Sequence, residues 1–250
     1  MIGREIHRDD RITILSGAGI SAESGVPTFR GEDGLWKGYD ATQLATPEAF
    51  ASNPEKVLEW YIWRRKMIAD CNPNAAHKAI AALEDAGYDV AVITQNIDNL
   101  HRRAGSKTIV ELHGNIFKLR CSGGCRGITH ISETTPPEDV PRDCPTCGRL
   151  LRPHIVWFGE FLDPDDVSAA QHRLSNTDLL FIVGTSGVVH PAAGFSYIAK
   201  EAGAYVVEIN IGYTPLSDMA DITLLGPAGE ILPRIFDPLL KIGDGPGLPV

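Results

Sequence analysis

With 250 residues, 43% of them hydrophobic, the chain is long enough to bury a substantial core as one large domain carrying inserted modules. Its 23 lysines and arginines against 32 aspartates and glutamates leave a net charge of −9, which argues against a nucleic-acid groove or an anionic membrane surface as a partner. The first ten residues are charged and the longest aliphatic runs, such as residues 179–183, are far too short to span a bilayer, so a cytoplasmic protein is expected.

In chain order, β-branched runs bounded by Gly, Asn or Asp predict strands at residues 12–15, 90–94, 108–112, 179–183, 205–209 and 222–225. Helix-like stretches at 77–86, 191–202 and 230–240 follow several of them. This alternation predicts an α/β fold on a Rossmann-like parallel sheet, with ligand chemistry at the carboxyl ends of its strands. Residues 31–70 read as loops and helices, and residues 117–151 are rich in Cys, Gly and Pro. Both are expected to be insertions that form a smaller domain, helical and zinc-ribbon in its two parts. Residues 1–30, 71–116 and 152–250 then make up the larger, discontinuous domain.

The strand at 12–15 runs into Ser16, Gly17, Ala18, Gly19, Ile20 and Ser21, where glycines let the backbone approach a pyrophosphate and a helix N-terminus favours its charge. The spacing Gly17-x-Gly19-x5-Gly25 is not the dehydrogenase fingerprint, and a tight turn without a ligand also explains it. The strand at 90–94 closes on Gln95, Asn96 and Asp98, whose amides and carboxylate suit a ring amide and ribose hydroxyls or, alternatively, cap a turn. His113 ends the strand at 108–112, where an imidazole of pKa near roughly 6.5 suits proton transfer. Gly184, Thr185 and Ser186, and then Asn210, end two further strands on the same side.

Of the five cysteines, Cys71 stands alone and reads as a small hydrophobe. Cys121-x3-Cys125 and Cys144-x2-Cys147 approach the spacing of a four-thiolate zinc ribbon, four free thiols being the alternative. Four thiolates close the coordination shell, so one structural zinc ion is expected, with no Lewis-acid role.

Residues 17–31, GAGISAESGVPTFRG, resemble the NAD loop of sirtuins nearly letter for letter. TQNID at 94–98 with Leu100 and His101, ELHGN at 111–115, VWFGE at 156–160, GTS at 184–186 and Asn210 occur in that family's order, so the resemblance covers about residues 11–240. It implies NAD as co-substrate, held by Gly17, Ala18, Gly19, Ser21, Ala22, Thr28, Phe29, Arg30, Trp36, Gln95, Asn96, Ile97, Asp98, Gly184, Thr185, Ser186, Asn210, Ile211, Gly212 and Ala228. It makes His113 the general base, with Asn96 and Asp98 positioning ribose and water. Val156, Phe158, Gly159 and Glu160 would pair with an extended acyl-lysine substrate by strand addition, opposite the loop near Val188 and His190.

Tyr61 and Arg64 lie at i and i+3 in the helical stretch 54–68 and project from one face. Preceded by Ala45, Thr46 and Pro47, the pair looks like the signature of class III sirtuins, which remove succinyl and malonyl groups: small Ala45 leaves room, and the Arg fork and Tyr hydroxyl suit a carboxylate. The plain alternative has Trp60, Tyr61 and Trp63 packing while Arg64, Arg65 and Lys66 form a solvated face. The function implied is NAD-dependent removal of succinyl, malonyl and acetyl groups from acylated lysine-containing proteins, giving nicotinamide, O-acyl-ADP-ribose and free lysine. An ADP-ribosyltransferase and a noncatalytic NAD-binding module are the other readings. A dehydrogenase is disfavoured, because the strand at 90–94 lacks a ribose-binding acid at its end.

Overall fold

A computed structural model describes residues 2–27, 35, 36, 39–188 and 192–242, with backbone only at 35, 36, 39–42, 192, 193 and 242. The chain runs β1 (Arg11–Ser16), α1 (Gly19–Ala22), an antiparallel pair β2 (Leu35–Trp36) and β3 (Tyr39–Asp40), α2 (Ala41–Leu44), α3 (Pro47–Ser52), α4 (Pro54–Ala69) and α5 (Ala75–Asp85). It continues through β4 (Asp89–Thr94), α6 (Leu100–Ala104), β5 (Ile109–Glu111), β6 (Gly114–Cys121), β7 (Ile128–His130), a 3-10 turn at Pro137–Asp139 and β8 (Leu151–Ile155). Last come α7 (Pro164–Leu174), β9 (Leu179–Val183), α8 (Ala192–Glu201), β10 (Tyr205–Asn210), β11 (Ile222–Leu225) and α9 (Ala228–Ile242).

Six parallel strands form the main sheet in the order β11-β10-β9-β1-β4-β5. Side chains alternate across it. Ile12, Ile14, Val92 and Phe181 point to one face and meet Ile80 and Leu83 of α5 and Leu232 and Phe236 of α9. Leu15, Ile93, Leu180 and Ile182 point to the other, against Leu174 of α7 and Phe195 and Ala199 of α8. Covered on both faces, the inner strands are continuous apolar runs, as parallel sheets require. Phe181 and Phe236 meet edge to face with centroids 5.2 Å apart. Because β4 lies on one side of β1 and β9 on the other, the winding reverses at β1, and the loops after these strands open on one crevice.

A second sheet, antiparallel in the order β7-β6-β8, underlies the Cys- and Gly-rich stretch. It starts before residue 117 and ends after 151, and its strands were hidden in the sequence by composition: Leu119 and Cys121 of β6 are buried while Lys118 and Arg120 are half-buried, a period of two. The predicted strands at 179–183 and 222–225 match β9 and β11 to the residue. Helices α6 and α7 were not anticipated; α7 is capped by Asp163, whose side chain accepts from the Asp165 N–H, with Pro164 leading its first turn.

Helix α4 starts at Asn53, whose side chain accepts from the Lys56 N–H, and buries Val57, Trp60, Tyr61, Arg64, Arg65 and Ile68. Most of these pack on Leu44, Ala45, Ile97, Ile116, Phe117 and Trp157. Arg64 and Arg65, at 2% and 5% exposure, do not form the solvated face that a run of cations suggests. No helix among the described residues is long and apolar enough to cross a membrane.

Candidate active site and metal centre

The loops that follow β1 and β9 meet backbone against backbone. A Cβ on Gly17 would lie 2.8 Å from the Thr185 Cα, and one on Gly19 would lie 2.7 Å from the Gly184 Cα. Gly184 itself has φ +60°, and its Cβ would fall 2.4 Å from the Ile20 nitrogen. The glycines are thus required by the fold before any ligand arrives, whether or not they also let a pyrophosphate approach. Hydrogen bonds seal the contact, from Gly17 N–H to the Val183 carbonyl at 3.0 Å and from Gly19 N–H to the Gly184 carbonyl at 2.8 Å.

Side chains at the strand ends then tie the crevice together. Asn96 Nδ2 donates to the Gly17 carbonyl at 3.0 Å and to Ser21 Oγ at 3.2 Å. Gln95 Nε2 donates to Thr185 Oγ1 at 3.1 Å, and Asn210 Nδ2 donates to the Thr185 carbonyl at 2.8 Å. Asp98, 4% exposed, accepts from Ser21 Oγ at 2.7 Å and from the Leu100 N–H at 2.9 Å. Burial pushes its carboxyl above the usual range, against those two bonds. Gly17, Gly19, Ser21, Gln95, Asn96, Asp98, Thr185 and Asn210 therefore converge, each through partners distant in sequence.

The other expected cofactor residues are placed less uniformly. Ala18 is half-buried, Ala22 and Ser186 are exposed at the crevice, and Gly212 has open space around it. Ile211 is 84% exposed. Ile97 and Ala228 are buried in the apolar clusters, so their side chains serve packing and only their backbones can face a ligand. Thr28, Phe29, Arg30, the Trp36 side chain and His190 lie outside the described residues. Under the crevice, His77 and His101 meet edge to face with ring centroids 4.9 Å apart, and His101 Nε2 is 2.9 Å from Ser16 Oγ. Sequence reasoning gave His77 no place at the site; it sits between Ser21 at 3.5 Å and Asn74 at 3.1 Å, a relation no local pattern signals.

His113 stands where the two sheets meet. Its Nδ1 is 2.9 Å from the Gln95 carbonyl oxygen, which can only accept, so the neutral ring carries its proton on Nδ1 and its lone pair on Nε2. Burial lowers its pKa, opposed by the Gln95 bond, so the imidazole is neutral at pH 7. The His113 carbonyl accepts from the Val156 N–H at 3.0 Å, which joins His113 to the turn that follows β8.

In that turn Phe158 is 49% exposed and Gly159, at φ +86°, borders open space, but Glu160 points inward. Its carboxylate accepts from Arg120 at 2.9 Å, from Arg152 at 2.7 Å and from the Trp157 N–H at 2.9 Å. The Glu160 side chain thus shapes the turn, while strand addition is expected of the backbone of residues 158–160. The Phe158 N–H donates to the Ala45 carbonyl at 2.9 Å, which brings the helical segment against the same turn.

Ala45, Tyr61 and Arg64 are together in this wall. The Tyr61 hydroxyl oxygen accepts from Trp157 Nε1 at 2.8 Å. Burial pushes Tyr61 up to about 12, against the opposing pull of Arg64. The Arg64 guanidinium lies over Trp60, 4.6 Å from the ring centroid, and 5.5 Å from that of Tyr61. Burial lowers its pKa to about 10, so it stays charged at neutral pH.

The sulfurs of Cys121, Cys125, Cys144 and Cys147 lie within 4.8 Å of one another. A tetrahedral zinc ion with bonds of about 2.3 Å wants sulfurs roughly 3.8 Å apart, and the Cys121–Cys147 separation of 3.4 Å is near that value. Backbone N–H groups of Cys125 and Gly123 aim at the Cys121 sulfur, the arrangement that favours its thiolate. The extra residue between Cys121 and Cys125 does not prevent convergence. Cys71 lies elsewhere, its sulfur 3.4 Å from the Met67 carbonyl.

A family model described as the Sir2 family matches residues 17–191. The chain belongs to that family. This sirtuin is 50% identical over 233 residues to the NAD-dependent protein deacylase of Pyrococcus furiosus, covering 91% of this chain and 92% of that protein. A Sir2 homologue solved in complex with NAD superposes with a TM-score of 0.86 at 44% identity, covering 93% of this chain and 90% of that one. Another, solved in complex with 2′-O-acetyl ADP ribose, gives 0.85 at 44% identity with 93% of each chain covered.

Proposed function

We propose that this sirtuin is an NAD-dependent protein-lysine deacylase that acts on succinyl-, malonyl- and acetyl-lysine in acylated proteins and releases nicotinamide, O-acyl-ADP-ribose and free lysine. The observation that carries the reading is the His113–Gln95 hydrogen bond of 2.9 Å, because it holds the proton on Nδ1 and leaves Nε2 of a neutral imidazole as the acceptor. NAD would supply the ribose carbon that takes the acyl oxygen as nicotinamide leaves, and the hydroxyl that then takes the acyl group, one water completing the release of lysine. His113 Nε2 accepts the proton of that hydroxyl. Asn96 and Asp98 keep the loops after β1 and β4 in register, so the ribose meets a wall already assembled.

The main-sheet crevice between the β1 and β9 loops would hold the cofactor, and the exposed backbone at Phe158 and Gly159 would pair with the peptide. Tyr61 and Arg64, beside small Ala45, would receive the distal carboxylate of a succinyl or malonyl group. The four cysteines would hold one structural zinc. Residues 1–30, 71–116 and 152–250 would then act as the NAD-binding body, with 31–70 and 117–151 as the smaller lobe. Incubation with NAD and matched acetyl, malonyl and succinyl peptides, followed by mass spectrometry, tests the reading. O-acyl-ADP-ribose from all three is expected, whereas ADP-ribose attached to the acceptor protein would overturn it in favour of ADP-ribosyl transfer.

A further inference from the structure

Away from the crevice, α4 and the three-stranded sheet leave a cleft of about 380 Å³ between them. This is the size range of small-molecule sites, which begins near roughly 300 Å³. Its walls are apolar, from Leu58 and Ile62 on the helix to Ile116, Leu119, Ile131 and Val140 opposite. Arg65 lies among them. It is 5% exposed, its Nη1 is buried with no hydrogen-bond partner, and no carboxylate pairs with it among the described residues. Burying a cation without a partner is costly, so such a group is retained where something completes it.

We propose that this cleft is a second ligand site, taking a small amphipathic monocarboxylate whose carboxylate meets Arg65 and whose hydrocarbon body fills the apolar walls. The mouth selects against other anions. Glu55, Glu59 and Glu138 stand at the rim, Glu55 already paired with Arg142, and they disfavour dianions and phosphates while leaving a single buried carboxylate facing the buried guanidinium. The site shares Tyr61 as a wall with the acyl carboxylate position proposed above but differs in its cation, because Arg64 stacks on Trp60 and Tyr61 whereas Arg65 lines the cleft between the helix and the three-stranded sheet.

Octanoate is the probe, titrated calorimetrically into the full-length, zinc-loaded protein. Saturable binding at one site is expected, weakened by about tenfold or more in Arg65→Met, with Arg65→Lys intermediate. Octanol and octylamine should fail to compete, and saturating NAD with an acetyl-lysine peptide should leave the octanoate affinity unchanged. Arg65→Met should keep or raise the melting temperature, since it removes a buried unpaired charge, so its loss of binding is not a loss of fold. Equal octanoate affinity in wild type and Arg65→Met, displacement by the acetyl-lysine peptide, or no saturable binding in the wild type would each overturn the proposal.

Discussion

Trp157 gives its indole proton to the hydroxyl oxygen of Tyr61 across 2.8 Å, so that hydroxyl keeps its own proton for a second partner. A carboxylate beside Arg64 is the partner that would complete it. Tyr61→Phe should therefore raise the KM for succinyl-lysine peptides about tenfold, and Arg64→Met about ten- to a hundredfold, with acetyl-lysine turnover largely spared. Tyr61→Phe should also lower stability by about 1–3 kcal/mol, because the buried Trp157 N–H loses its acceptor. Parallel kinetics on matched peptides decide the point: equal losses on both substrates would leave these residues as packing alone.

His113→Ala should lower deacylation by about two to four orders of magnitude while NAD binding survives. Because burial lowers the His113 pKa, the base form is fully present at neutral pH. The pH profile of kcat/KM should be flat above roughly 6.5 and fall only at more acidic pH. A plateau that begins well above neutrality would contradict the neutral, Nδ1-protonated ring.

Acid should also destabilise the fold through the histidines beneath the crevice. Burial lowers His77 to about 4. The unfolded chain, with a pKa near roughly 6.5, takes the proton first, so stability is intact above that pH and lost as pH falls toward the folded value. His77 alone should cost about 2 kcal/mol between pH 6.5 and 5, readable by urea denaturation at the two pH values.

Cys144→Ser should lose the metal and loosen the sheet of β6, β7 and β8, because removing one thiolate from a closed site removes free energy that is also folding free energy. Elemental analysis and hydrogen exchange of residues 114–155 are the measurements. A metal-free protein with unchanged exchange protection would refute the structural role.

Glu160→Gln should free Arg120 and Arg152 from the turn and cost roughly 1.5–3 kcal/mol of stability, the worth of hydrogen bonds to a charged group. The KM for acylated peptide should rise and that for NAD should stay constant. An unchanged peptide KM would mean that the turn holds its shape without the clamp.

The strand ends were legible because a parallel sheet writes its inner strands as short apolar runs, and the motifs fall at their carboxyl ends, as with Thr185 after β9 and Asn210 ending β10. What the polar residues bond to was not legible. Asn96 reaches Gly17 and Ser21 from 79 and 75 residues away, and Asp98 reaches Ser21 from 77. The inward turn of Glu160 depends in the same way on Arg120, 40 residues earlier. The alternative of a solvated face at residues 64–66 fails at Arg65 for a related reason: three adjacent cations look solvated in one dimension, and the sheet opposite α4 buries Arg65.

Gly17, Gly19 and Gly184 admit hydrogen and nothing larger, because each faces the backbone of the other loop. Selection for foldedness alone would hold those positions to a single letter. A diverged copy that had lost its chemistry would still spell the glycine signature, while its His113 would be free to drift. The loop pattern is therefore a record of architecture, and whether such a copy still turns over has to be read from the imidazole.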